Sequence, residues 1–160
     1  MGDMILNAEL INPFINVSVN LMNMICNVKA NRGQIFIRDS TFLSGDVAIT
    51  IGIAGEVKGQ VFFSMDESTA CKIASIMMFG MEVTKLEDIA ISAIAELGNM
   101  IMGNVSTEFS NNGVEINITP PSILSGNDIS VSSIGMRTIC IPLALESLGK
   151  IEIDIALTDN

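Results

Sequence analysis

ISAIAELGNMIMGNV, residues 91–105, is the stretch from which the rest of the chain is best read. On a helix, Ile94, Leu97, Ile101 and Val105 recur at spacings of three and four and form the apolar stripe of a core-facing helix. Ser92, Glu96, Asn99, Gly103 and Ser106 form a second stripe, small and polar. Its middle places a carboxylate and a carboxamide one turn apart, Glu96 and Asn99, with side chains long enough to reach another molecule. Gly98, Gly103 and Ser106 leave little bulk nearby, so a partner surface could come close. A solvated face would be expected to carry Lys, Arg and Glu, yet no Lys or Arg occurs between Lys85 and Arg137. Ser92, Met100, Gly103 and Ser106 are therefore candidate partner-contact residues, with Met100 and Met102 bordering the stripe as adaptable apolar contacts. Asn104 and Glu108 read as surface and helix-end residues.

Thr84-Lys85-Leu86-Glu87 has the pattern of a capping box that starts this helix, with Glu87 and Asp88 favoured in its first turn. Asn111-Asn112-Gly113 is a stop signal, because Asn and Gly tolerate the left-handed conformation. The helix then has about six or seven turns.

The bulk composition narrows the chemistry. The 160 residues suit one domain with a substantial core. The longest apolar runs are broken by Glu, Asn, Lys or Gly, which argues against a membrane span, and the first residues lack the basic start of a secretory signal. Cys26, Cys71 and Cys140 lie far apart among apolar residues, the pattern of small buried side chains in a reducing compartment, and a cytoplasmic location is expected. A formal charge of -10 with no basic cluster argues against nucleic acid or anionic membrane as partner. With no histidine, the chain has no histidine triad, histidine metal site or histidine acid/base group. No metal site of its own is expected.

A first helix is expected over residues 11–28, with Asn12 as cap and Pro13 in the first turn. Three strand-like segments follow, roughly 34–42, 46–53 and 56–65, with turns at Ser44-Gly45 and Ala54-Gly55, as in an antiparallel meander. A second helix is expected over about 68–79, ended by Gly80. Beyond the third helix come strands at 114–119, 128–133, 137–145 and 150–157, with Pro120-Pro121 as a break. In the last of these, Glu152 and Asp154 alternate with Ile151, Ile153 and Ile155, as in a half-buried strand that could be an edge.

The halves resemble each other. Asn23-Met24-Ile25 parallels Asn99-Met100-Ile101, Asn31-Arg32-Gly33 parallels Asn111-Asn112-Gly113, Leu43-Ser44-Gly45 parallels Leu124-Ser125-Gly126, and Ile51-Gly52 parallels Ile134-Gly135, in the same order. The expected fold class is α+β: one domain over 1–160, a pseudo-duplicated helix plus three antiparallel strands, with halves at about 8–80 and 84–158 and long helices packed on the sheet. Asn20 stands where Glu96 stands in the second half, so the Glu/Asn pair is complete once.

Ser92-x3-Glu96-x2-Asn99 on a long helix, an asparagine-glycine turn, and a later proline (Pro121 or Pro120) resemble the signature of the CheC/CheX family, phosphatases of the chemotaxis response regulator CheY. A single pair in a short chain is most similar to the CheX branch. The resemblance implies a homodimer joined through its sheets, the last strand being one candidate edge. It also implies an aspartyl phosphate on a CheY-like receiver domain as substrate, with Mg²⁺ and Lys carried by that partner and no cofactor of the chain's own. Asn99 would then hold the attacking water and Glu96 would anchor the partner's Lys, so these two are the candidate catalytic residues. The competing reading is an interaction module, such as a relative of flagellar switch proteins, that binds a receiver without hydrolysis.

Overall fold

The computed structural model describes residues 8–38, 41–133 and 137–158. Helix α1 spans Ala8–Cys26 and already includes Pro13, so the expected start at Asn12 is corrected. Pro13 is the sixth residue of the helix, past the first turn, so α1 lacks the bond that an N–H at this position would donate to the Glu9 carbonyl. The buried side of α1 carries Ile11, Phe14, Leu21, Met22 and Cys26, and the Phe14 ring meets Phe109 edge-on at 5.8 Å between centroids. Asn27, in the left-handed region at φ 52, stops the helix short of Val28.

Strand β1 (Ala30–Arg32) forms ahead of the strand expected over 34–42, of which β2 (Phe36–Arg38) is the middle. Strand β3 (Thr41–Gly55) runs straight through Ser44-Gly45, which is no turn, and turns back at Gly55 into β4 (Lys58–Met65). The small residues at 44 and 45 instead precede a register shift in the β3–β6 ladder, where Asp46 alone stands against residues 126–128 of β6; the Asp46 carboxylate accepts the Glu67 N–H at 3.0 Å. Asp66 caps α2 (Glu67–Met77) by accepting the Thr69 N–H at 2.7 Å.

The long helix α3 covers Asp88–Asn111. Its N-cap is Glu87, without a side-chain capping bond, so the capping box at Thr84 does not form. The stop at Asn112-Gly113 does: Gly113 has φ 83, and the Val114 N–H bonds back to the Phe109 carbonyl at 2.9 Å. Strands β5 (Ile116–Ile118), β6 (Ser122–Ser133), β7 (Thr138–Leu145) and β8 (Gly149–Thr158) complete the order.

All pairings are antiparallel, and the eight-stranded sheet runs β1-β7-β8-β4-β3-β5, with β2 also on β7 and β6 also on β3. The expected meander is thus reduced to the β3–β4 hairpin. Each half contributes four strands rather than three. Exchanging β1, β2, β3 and β4 with β5, β6, β7 and β8 carries the pairings onto one another, with β4–β8 mapped onto itself. Each half lends its first two strands to the outer edge of the other half's third strand. Leu43-Ser44-Gly45 and Leu124-Ser125-Gly126 fall on β3 and β6, which are ladder neighbours and not counterparts under this exchange. Ile134-Gly135 lies outside the described residues.

Strand β8 pairs with both β4 and β7 and is interior, which corrects its reading as an edge. Ile151, Ile153 and Ile155 face the helices, in one core with Val61 and Phe63 of β4 and Ile49 and Ile51 of β3. The opposite face is covered as well: Ala48, Phe62, Cys140 and Asp154 are all buried. The three cysteines are free and buried. Helix α3 is long and apolar enough, by length and composition, to cross a membrane. In this fold it packs on α1, α2, β3 and β5.

Candidate functional site

Helix α3 is seated by Ile94, Leu97, Ile101 and Val105, none more than 1% exposed. Gly98 belongs to the same inner face. A Cβ there would lie 2.7 Å from Ile49 Cγ2, so the missing side chain lets α3 sit directly on β3. This corrects the reading of Gly98 as room for a partner. Met102 is likewise fully buried and is no contact residue.

Clamping that side fixes the other. Ser92, Glu96 and Asn99 are exposed in line, and Gly103 has nothing within 4 Å of where a Cβ would stand. Met100 is half-buried at the border of the stripe. Ser106 is also half-buried, and its hydroxyl donates to the Ile116 carbonyl at 3.4 Å, which ties α3 to β5. Further along, Asn104 Nδ2 donates to the Met100 carbonyl at 2.8 Å, so that amide is engaged with its own helix. Glu108 is half-buried beside α1. Among the described residues, neither Glu96 nor Asn99 has a hydrogen-bond or ion-pair partner. An acceptor-only carboxylate and a donor–acceptor carboxamide therefore stand one turn apart on a rigid element with their polar atoms uncommitted. Asn20 and Asn23, which the sequence match sets beside them, are exposed on α1.

Among the described residues, one group could supply three metal-ligating atoms: Cys140, Glu152 and Asp154, within 4.8 Å of one another. Arg38 already fills that role electrostatically. Its Nη1 lies 3.1 Å from Glu152 and 3.4 Å from Asp154, and the guanidinium stacks 4.8 Å from the centre of the Phe36 ring. Burial, with Glu152 alongside, pushes the Asp154 carboxyl up to about 8, and burial also raises the Cys140 thiol. A guanidinium held between the Glu152 carboxylate and the Asp154 carboxyl is a structural tie and does not fit a metal. Sequence reading missed this cluster because its members come from three strands, with no local spacing to announce them.

A long helix with one open polar face, clamped on a sheet built of two interleaved halves, is the architecture of the CheC/CheX class. The family model for chemotaxis phosphatase CheX matches residues 47–144. The CheY-P phosphatase CheX of Thermotoga maritima is 30% identical over 131 residues, 82% of this chain and 84% of that one. The chain belongs to the CheX family. A solved CheX-CheY-BeF3-Mg+2 complex from Borrelia burgdorferi is similar at 26% identity with a TM-score of 0.82, covering 96% of this chain and 100% of that one. A CheC-like superfamily protein from Shewanella sp. PV-4 shares the fold at 23% identity and a TM-score of 0.86, covering 96% and 99%.

Proposed function

We infer that this protein is a phosphatase that hydrolyses the aspartyl phosphate of a CheY-like receiver domain. The observation that carries the reading is the Glu96/Asn99 pair, exposed and uncommitted on the open face of α3 in a chain of the CheX family. Hydrolysis of an acyl phosphate needs a water oxygen placed in line with the bond to the leaving carboxylate. The P–O bond to the aspartate breaks as the water–phosphorus bond forms, the aspartate leaves as a carboxylate, and the water proton goes to the released phosphate. Positioning supplies most of the acceleration, and a neutral carboxamide does it without repelling the phosphoryl oxygens. Asn99 orients the water through its carbonyl and amino groups. Glu96 pairs with the receiver's active-site Lys, which sets the depth and register of Asn99.

This chain supplies no metal in that scheme; Mg²⁺ comes with the receiver and neutralises phosphoryl charge when bound. Ser92, Met100 and Gly103 contact the receiver beside the pair, and Ser106 supports the helix from below. The protein acts in the cytoplasm, as a homodimer. Its outer strands β1, β2, β5 and β6, rather than β8, are those that pair with one neighbour among the described residues. The single domain with halves at about 8–80 and 84–158 draws support from the exchange symmetry of the pairings.

Inorganic phosphate release from an acyl-phosphorylated receiver with Mg²⁺ tests the reading. Acceleration in the presence of this protein is expected; binding with no acceleration would instead make the chain an interaction module.

A further inference from the structure

We propose that the junction between α2 and α3 carries an apolar anchor, centred on Phe79, by which the phosphorylated receiver domain docks; this rests on the reading of the Glu96/Asn99 face given above. Phe79 is 100% exposed, with Ile89 at 69% and Met81 at 60%. A phenylalanine left in water forgoes the stabilisation that its burial would bring. Its backbone is costly too. Phe79 has φ 59 in the position just past the end of α2 where glycine fits without strain. A non-glycine residue there is strained, because its Cβ crowds the following carbonyl oxygen.

The turn is firmly held. Gly80 N–H bonds to the Ser75 carbonyl at 2.8 Å, Phe79 N–H to the Ile76 carbonyl at 3.2 Å, and the Ser75 hydroxyl to the Met81 carbonyl at 2.7 Å. A fixed turn thus presents the ring to solvent, and two separate costs fall on one residue with no return within the fold. Strain retained at a presented side chain points to function.

The position of Ile89 names the occupant. Ile89, Ser92, Glu96 and Asn99 follow one another at spacings of three and four, so Ile89 extends the open stripe of α3 by about one turn and stands two turns, about 10 Å, before Glu96. Met78, next to Phe79, lines the same surface depression as Ile89. The depression at the α2–α3 junction therefore meets the Glu96/Asn99 stripe at Ile89. A receiver whose acyl phosphate reaches Asn99 must cover this end of the helix. Glu82, Glu87 and Asp88 rim the depression against a single cation, Lys85, so the rim is net acidic. That pattern selects a receiver face whose apolar patch is flanked by basic side chains.

Binding of a CheY-type receiver loaded with beryllofluoride and Mg²⁺, followed by calorimetry, tests the proposal. Phe79→Gly should weaken binding at least tenfold while raising the melting temperature, because glycine relieves the left-handed strain. Ile89→Ser should weaken binding severalfold. Unchanged affinity in both variants would overturn the anchor, as would a parent protein that does not bind. A fall from dimer to monomer in Phe79→Gly with receiver affinity intact would assign the patch to a second copy instead. Asn99→Ala should bind like the parent and fail to hydrolyse, so loss of turnover and loss of docking report on separate claims.

Discussion

At the scale of the residue, α3 is divided by what each side chain touches. Glu96 and Asn99 could be singled out from sequence because two long polar side chains one turn apart, with no Lys or Arg nearby, make a poor ordinary surface. Gly98 and Met102 were misread as neighbours of that face. Each lies four residues past the last, from Ile94 to Gly98 to Met102, so helical arithmetic already put them on the buried stripe; their small or flexible side chains hid it. The contact at Gly98 has a measurable consequence. Gly98→Ala places a methyl 2.7 Å from Ile49 Cγ2, and α3 must lift or Ile49 must turn. A loss of about 1–3 kcal/mol in unfolding free energy is expected despite the better helix propensity of alanine. A stabilised Gly98→Ala, read by urea denaturation, would show that α3 is not seated there. Asn99→Ala, by contrast, should leave stability within about 0.5 kcal/mol, since that side chain is exposed and makes no internal bond.

Strands and helices were legible where periodicity was strong, and illegible where pairing decided. The end of α3 was clear because Asn112-Gly113 has a chemical reason to stop a helix. Its start was not, because the motif at Thr84 is a local pattern whose side-chain bonds do not form. Alternating Glu152 and Asp154 looked like a solvent-facing edge. They are instead the underside of a central strand, where Arg38 from β2 and Cys140 from β7 face them. No sequence spacing reports which strand will arrive alongside.

That burial makes stability depend on pH. Folded Asp154 keeps its proton until about pH 8, whereas the unfolded chain releases it near the ordinary carboxyl value of 3.8. Unfolding between these values releases a proton, so the stability contributed by this group falls as pH rises through that window and levels off above it. Asp154→Asn lacks the effect. Its stability relative to the parent should improve steadily between about pH 5 and pH 8 in urea denaturation. A difference that stays constant across that range would mean Asp154 is ionised throughout.

At the scale of the whole molecule, two interleaved halves form one sheet, and the helix that carries Glu96 and Asn99 is clamped across it. The Asn-x-Gly match between the halves does not mark equivalent positions, since Asn31-Arg32-Gly33 runs along β1 and Asn111-Asn112-Gly113 ends α3. The exchange of strands between halves was not legible either, because neighbouring and equivalent strands carry similar residues. The homodimer reading predicts twice the 17.1 kDa chain mass by light scattering at micromolar concentration; a single-chain mass would remove it. The central claim is that α3 presents a carboxamide that activates water on a partner's acyl phosphate. Its most direct test is the decay of an acyl-phosphorylated receiver, with Mg²⁺, at saturating concentrations of the parent or of Asn99→Ala. Strong acceleration by the parent is expected, with a loss of about 10²-fold or more in the variant. Equal acceleration by the two proteins would contradict the account.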